Sequence, residues 1–237
     1  MRTHINKVNN KKHLLQPTKI LLRFFLIFCI AFFAFFFTAC KEKIDYFSYV
    51  SELRDNIFLA ENDGFCLRIY SLEKEYPYAS DGVKRETEKR TEVRFLAPSG
   101  SKTSMLSFTI DGKEYGGEMS YDNVKAEYYY SCTLDVSTLS KIECAITYGE
   151  DTLHFSALTV KTESTLSPQK ALETLRETES ELFDSLTDKY GFAGEIYLRL
   201  LCEDSPYYYI GVIDRNGNTT AFLMNGETGK VLARRQG

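Results

Sequence analysis

Between about residues 48 and 162, apolar side chains recur at every second position in short runs separated by turn-forming residues. A period of two is that of a strand with one buried face. Phe65-Cys-Leu-Arg-Ile-Tyr70 follows Asn62-Asp63-Gly64, whose glycine supplies the positive φ that a tight hairpin needs. Thr91 to Leu96 ends at Pro98-Ser-Gly100, and Thr103 to Ile110 ends at Asp111-Gly112. Further strands are predicted over Ala126 to Val136, Lys141 to Tyr148 and Thr152 to Val160, the last two joined across Gly149-Glu150-Asp151. Residues 43 to 54 read two ways. Ile44, Phe47, Val50 and Leu53 recur at a helical interval, yet they lead into the strand-like Asn56 to Ala60.

This spacing predicts a mainly β fold whose first part, residues 48–164, is an antiparallel β-sandwich of immunoglobulin-like architecture. Tyr130 stands two residues before Cys132, the spacing of a tyrosine corner, but the chain has no tryptophan, so the expectation is confined to the architecture. The pattern changes after Thr162. Ser167-Pro168 reads as a helix N-cap with proline at the first helical position. Ala171, Leu172, Leu175, Leu182, Phe183 and Leu186 then line one apolar face of a predicted helix reaching Leu186. Alternation returns over Glu195 to Cys202 and Tyr207 to Ile213. Asn216-Gly217 is the strongest hairpin signal in the chain, and Thr219 to Met224 and Lys230 to Ala233 complete a meander. Residues 165–237 are therefore predicted as a small α+β domain, one helix on an antiparallel meander.

This second part resembles a PepSY-type module. The resemblance lies in Ser167-Pro-Gln-Lys-Ala-Leu172, the strands after it, and Met224-Asn-Gly-Glu-Thr-Gly-Lys-Val-Leu232, where Asn225 stands at the position of the family's aspartate. It covers about seventy residues. It implies an exported protein with a link to peptidase regulation.

The first forty residues change the setting of all this. Arg2, Lys7, Lys11, Lys12, Lys19 and Arg23 have no acidic counterpart, and Phe24 to Phe37 follow without a charge. An apolar run of this length matches the core of a signal peptide better than a bilayer-spanning helix of about 20 residues. It stops at Phe37-Thr38-Ala39-Cys40, which resembles the lipobox of bacterial lipoproteins, with phenylalanine where that family usually has leucine. The resemblance implies a signal peptide over 1–39, a lipidated N-terminus at Cys40 with a tether over 40–47, and attachment to the extracytoplasmic face of the cell membrane. An uncleaved signal anchor is the alternative, with Ile20, Leu21 and Leu22 extending the apolar run past Arg23.

Composition narrows the function classes. The six leader cations are part of 29 Lys and Arg, so the remaining 23 face 33 Asp and Glu, a net charge of −10 for the exported part. Such a balance excludes nucleic acid as the expected partner. His154 is the lone histidine beyond the leader, and no HExxH, CxxC or GxSxG pattern occurs, so neither a metal nor a cofactor is expected. Of the four cysteines Cys66, Cys132, Cys144 and Cys202, the last three alternate with apolar residues, and free buried thiols are the expectation, with Cys66–Cys132 and Cys132–Cys144 as candidate bridges in an export compartment.

Candidate chemistry is sparse. Ser99-Gly-Ser-Lys102 and Ser167-Pro-Gln-Lys170 have the spacing of an acyl-transfer serine and lysine, but companion motifs are missing and capping explains Ser167. Asp214-Arg-Asn-Gly-Asn218 has oxygen ligands like the start of a calcium loop, yet its glycine is misplaced and a hairpin turn accounts for it. No catalytic residue is assigned. Lys84 to Glu92 is charged on both faces and predicts a solvated or edge strand. The tyrosine triplets Tyr128-Tyr129-Tyr130 and Tyr207-Tyr208-Tyr209 are the candidate binding surface, since alternation turns at least one ring of each outward. The expectation is a non-enzymatic lipoprotein that binds a protein or peptide partner. The alternatives are a carboxylate-dependent hydrolase acting on cell-wall glycan and a structural accessory subunit of a membrane complex.

Overall fold

A computed structural model describes residues 44–98 and 102–237. The leader, Cys40, and the Ser99 to Ser101 part of the first serine–lysine pattern lie outside the described residues. The chain from Ile44 to Gly237 forms one compact, mainly β unit. It opens on a 3-10 turn, Tyr46–Tyr49, whose Asp45 carboxylate accepts from the Phe47 amide at 3.0 Å. The helical spacing of residues 44 to 53 thus yields a single turn and then a long strand, β1 (Val50–Asn62).

Asp63 and Gly64, both at positive φ, close β1 onto β2 (Phe65–Glu75) in the tight hairpin that Asn-Asp-Gly predicts. Next come β3 (Thr87–Leu96), β4 (Ser104–Ile110), β5 (Lys113–Glu118), β6 (Ser120–Asp122), β7 (Glu127–Cys132), β8 (Lys141–Tyr148) and β9 (Asp151–Thr159). β5 and β6 are absent from the sequence reading. Lys-Glu-Tyr-Gly-Gly-Glu is too polar and too rich in glycine to show a strand period, and Asp111-Gly112 is a turn between two strands rather than an end.

Two helices follow, α1 (Pro168–Thr178) and α2 (Ser180–Ser185), in place of the single predicted helix. Glu179 leaves helical geometry at φ −112° and ψ 38°. Thr174 and Thr178 weaken the turns before it, each turning its hydroxyl back onto the carbonyl four residues earlier at 2.9 Å. The predicted apolar face nonetheless survives the break, because Ala171, Leu172, Leu175, Leu182, Phe183 and Leu186 all pack into one core. A two-residue ladder, β10 (Thr187–Asp188) with β11 (Gly191–Phe192), leads into β12 (Gly194–Cys202), β13 (Pro206–Asp214), β14 (Thr219–Asn225) and β15 (Val231–Gln236).

Thirteen strands share one sheet, ordered β15-β14-β13-β12-β1-β2-β3-β7-β6, with β9-β8-β4-β5 branching from β1. All these pairs are antiparallel except β1 with β12. The branch occurs because β1 is long enough to take two partners on one edge. Residues 50–54 pair with 196–199 of β12, and Phe58 and Leu59 pair with Thr159 and Leu158 of β9. A register shift between Arg54 and Asn56 separates the two zones. The strands expected to form a sandwich are joined through β1 into one hydrogen-bonded sheet.

Two apolar cores result. The first is filled by Phe58, Leu67, Ile69, Val93, Phe95, Phe108, Ile146, Phe155 and their neighbours, contributed by strands from both arms of the branch. The second lies between α1, α2 and the meander, where Leu175, Phe183, Leu198, Ile210 and Phe222 are fully buried. Residues 44–49 join this second core, with Tyr46 edge-on to Phe183 and Phe192 at 5.1 and 5.4 Å.

The charged segment ending at Glu92 is solvated and edge-like over most of its length: residues 84–86 precede β3, residues 87–90 pair with β2 alone, and β7 covers the other side from Thr91 onward. Ion pairs of Lys74 with Glu92, Lys89 with Asp135 and Arg90 with Glu88 neutralise its charges. The four cysteines are free thiols, fully buried only at Cys144. Cys66 lies opposite Leu96 and Cys132 opposite Thr91, the two ends of the same stretch of β3, about 17 Å apart at strand rise. That separation is far beyond disulfide reach.

Candidate functional site

Alternation gives the sheet a second face, turned away from the first core, on which Tyr70 is half-buried against the margin of the second core. In β2 and β3, Leu67, Ile69, Val93 and Phe95 point inward, so Arg68, Tyr70, Leu72, Lys74, Arg90, Glu92 and Arg94 point out. Register carries this face sideways onto Tyr129 and Ser131 of β7 and, across β1, onto Glu52 and Arg54. It then continues onto Tyr197 and Arg199 of β12, because Ile196, Leu198 and Leu200 turn to the helices.

On this face arginine, glutamate and tyrosine interlock. Arg199 grips Glu52 with both arms, at 2.9 Å from Nε and 2.5 Å from Nη2. Burial opposes the Arg199 charge, but Glu52 outweighs it and holds the guanidinium above its usual pKa. Lys74 binds Glu92 at 2.6 Å, Arg94 binds Glu127 at 2.5 Å, and Arg90 binds Glu88 at 2.8 Å. The rings complete the array. Arg54 and Arg94 lie 4.6 and 5.6 Å from the Tyr70 centroid, Arg90 lies 5.3 Å from Tyr76, and Arg199 lies 4.6 Å from Tyr197. Beside Arg94 the face dips into a recess of 380 Å³ lined by Lys74, Glu92, Arg94, Tyr121, Glu127 and Tyr129.

At one end, residues 76–86 fold between β2 and the β13–β14 turn. Gly82, at φ +77°, makes the approach possible, since a Cβ there would lie 2.2 Å from the Asp214 carbonyl oxygen. Beneath lie two carboxyls, Glu195 at 0 % and Glu75 at 1 % exposure. Burial, reinforced by Glu75, pushes the Glu195 carboxyl above its usual pKa. The Ser51 hydroxyl and Gly82 amide face Glu195 without reaching hydrogen-bond geometry, whereas Arg85 caps Glu75 with its amide and guanidinium. Both carboxyls are sealed, with no open cleft between them.

The tyrosine triplets divide between cores and surface as alternation requires. Tyr128 and Tyr208 are core residues. Tyr128 Oη accepts from the Lys102 amide and donates to its carbonyl, both at 2.7 Å, and Tyr208 Oη donates to the Leu166 carbonyl at 2.6 Å. Tyr130 also packs on the first core and donates to the Gly116 carbonyl at 3.0 Å. Tyr129, Tyr207 and Tyr209 remain for the outer face, where Tyr209 and Tyr197 lie 5.5 Å apart over Gly211.

Sequence reasoning missed Arg54, Tyr70, Arg94, Glu52 and Arg199. Arginine or glutamate at alternate positions of predicted strands was the available signal. Among the described residues no group of His, Cys, Asp and Glu has the arrangement of a metal site. Ser167 accepts from the Lys170 amide at 3.2 Å as an N-cap, and Asp214 receives the Asn216 and Asn218 amides at 2.8 and 2.9 Å, organising the hairpin. Neither family models, nor curated proteins, nor solved structures include a match to this chain.

Proposed function

We propose that this chain is an extracytoplasmic lipoprotein, anchored to the cell membrane through Cys40, that binds protein or peptide partners on its arginine–tyrosine face. The face carries the reading. It combines arginine and tyrosine, which with tryptophan are the residue types most favoured at binding hot spots, held in place by ion pairs before any partner arrives. The basic leader and Phe37-Thr-Ala-Cys40 support the anchor. The likeness to PepSY-type modules is supported by one helix pair on a meander and by Asn225, whose Oδ1 accepts from the Glu227 and Thr228 amides at 3.1 and 2.8 Å, a role an aspartate would also fill.

In-cell photo-crosslinking tests the binding face. A crosslinker replacing Tyr129 is expected to give discrete protein adducts, and one replacing Glu173 on the helix side none. Equal patterns at both positions refute the assignment. Palmitate labelling tests the anchor, since Cys40→Ala should abolish incorporation seen in the parent chain.

A further inference from the structure

Six cations, Arg54, Arg68, Lys74, Arg90, Arg94 and Arg199, stand on the outer face with four anions, Glu52, Glu88, Glu92 and Glu127. Each anion has a close cation, Arg199 for Glu52, Arg90 for Glu88, Lys74 for Glu92 and Arg94 for Glu127, and Arg94 also lies 3.8 Å from Glu92. Arg54 and Arg68 have no ion pair among the described residues, and of the two only Arg54 is half-buried. Arg54 is not a free surface cation. It is half-buried at the bulge of β1, its Nε is shielded and without a hydrogen-bond partner, and its guanidinium lies against Tyr70. The neighbouring Arg94 has a shielded, unpartnered Nε as well and approaches the same ring. Arg68, further along β2, is exposed to solvent and is held by the Tyr70 and Cys66 side chains.

Removing a guanidinium from water without a counter-ion is costly, and a half-buried arginine is normally compensated by a carboxylate or phosphate. The face thus carries more cations than anions, and Arg54 is the half-buried cation on it without an ion pair of its own, with Glu52 and Glu92 acting on it only at longer range, while the exported part as a whole is acidic. A complementary ligand brings one anion to Arg54 and planar or apolar groups to Tyr70 and Tyr129, with the recess beside Arg94 taking a further side chain.

We propose that Arg54 is the anchor for a carboxylate side chain of an acidic, extended peptide segment of a partner protein. This rests on the peptide-binding reading above and adds the chemistry of the partner. The guanidinium's planar fork suits a carboxylate in two-point contact, and its placement between Tyr70 and Arg199 sets where along the strip that carboxylate must fall.

The test uses the full chain in non-ionic detergent and three probes: a fluorescein-labelled peptide of alternating Glu and Thr, the same peptide with Gln for Glu, and inorganic phosphate. Fluorescence anisotropy should show the acidic peptide binding at least about tenfold more tightly than its Gln counterpart, as one charge-assisted pair implies. Arg54→Gln should remove that difference, Arg54→Lys should restore part of it, and Lys170→Gln on the exposed helix face should leave it unchanged, with circular dichroism confirming the fold of each. Equal binding of both peptides to the parent and to Arg54→Gln overturns the carboxylate assignment and leaves peptide binding standing. Phosphate binding with no peptide binding overturns it in favour of a phosphate ligand. Binding of no probe to a folded parent overturns it too, and the crosslinking experiment then decides the broader reading independently.

Discussion

Because β1 is hydrogen-bonded into both halves of the sheet, damage to either core should lower one common unfolding transition. Phe222 in the second core and Phe95 in the first are both 0 % exposed. Replacing either by alanine removes a full aromatic side chain from a packed site, a loss of about 3–5 kcal/mol. A chain of this size unfolds in urea with a slope of about 2–3 kcal/mol per M, so each midpoint should fall by about 1–2.5 M. The coupling comes from what partial unfolding exposes. If the meander and helices melted alone, Val50 and Ile57, 6 and 4 % exposed, would lose their cover, and residues 50–54 would lose the β12 ladder. The assay is urea denaturation followed by far-ultraviolet circular dichroism and by tyrosine fluorescence. Coincident single curves are expected for the parent, Phe222→Ala and Phe95→Ala, with the double variant additive to within about 0.5 kcal/mol. A biphasic curve for Phe222→Ala, with its second phase at the parental midpoint, would refute the shared-strand coupling.

The remaining predictions concern single groups. Glu195 is buried and its folded pKa is raised, so its stabilising neutral form is fully present below the unfolded pKa and its contribution is lost as pH rises through the folded value. Glu195→Gln should therefore stabilise the protein at pH 8 relative to the parent and converge with it at pH 4, the gap opening at no more than about 1.4 kcal/mol per pH unit in thermal or urea melts. Gly82→Ala should cost about 1–3 kcal/mol, read as a lower melting temperature, because it combines positive φ with a backbone clash at Asp214. Burial pushes the Cys144 thiol up to about 12, so alkylation at pH 8 should reach it only in denaturant; rapid labelling of Cys144 in the native protein would contradict its placement.

Strand existence was legible wherever alternation was strict, and β8 matches its predicted limits residue for residue. Three features were not. β5 carries two glycines and no apolar period, so its place is set by pairing with β4 alone. The helix break at Glu179 depends on threonine back-bonding that leaves the apolar spacing untouched, and Glu179 itself is held by Arg234 at 3.0 Å, a contact 55 residues away in sequence. The outer face was half visible. A tyrosine triplet reveals itself by repetition, but the pairing of Arg199 with Glu52 spans 147 residues, and only tertiary structure brings them together. Long-range register, rather than local propensity, decides which charges meet.

The parallel ladder between β1 and β12 also sets an order of events. β1 is the first strand of the folded unit to leave the ribosome, yet its partner lies about 145 residues later. The β2 edge can form at once through the Asp63-Gly64 hairpin, whereas the other edge must wait for nearly the whole chain and for the loop-closure entropy that such a separation costs. Residues 50–54 thus spend synthesis as an open strand edge, a template for unwanted pairing. Glu52 and Arg54 lie within that interval, so the charges that later build the outer face first serve to keep the waiting strand solvated.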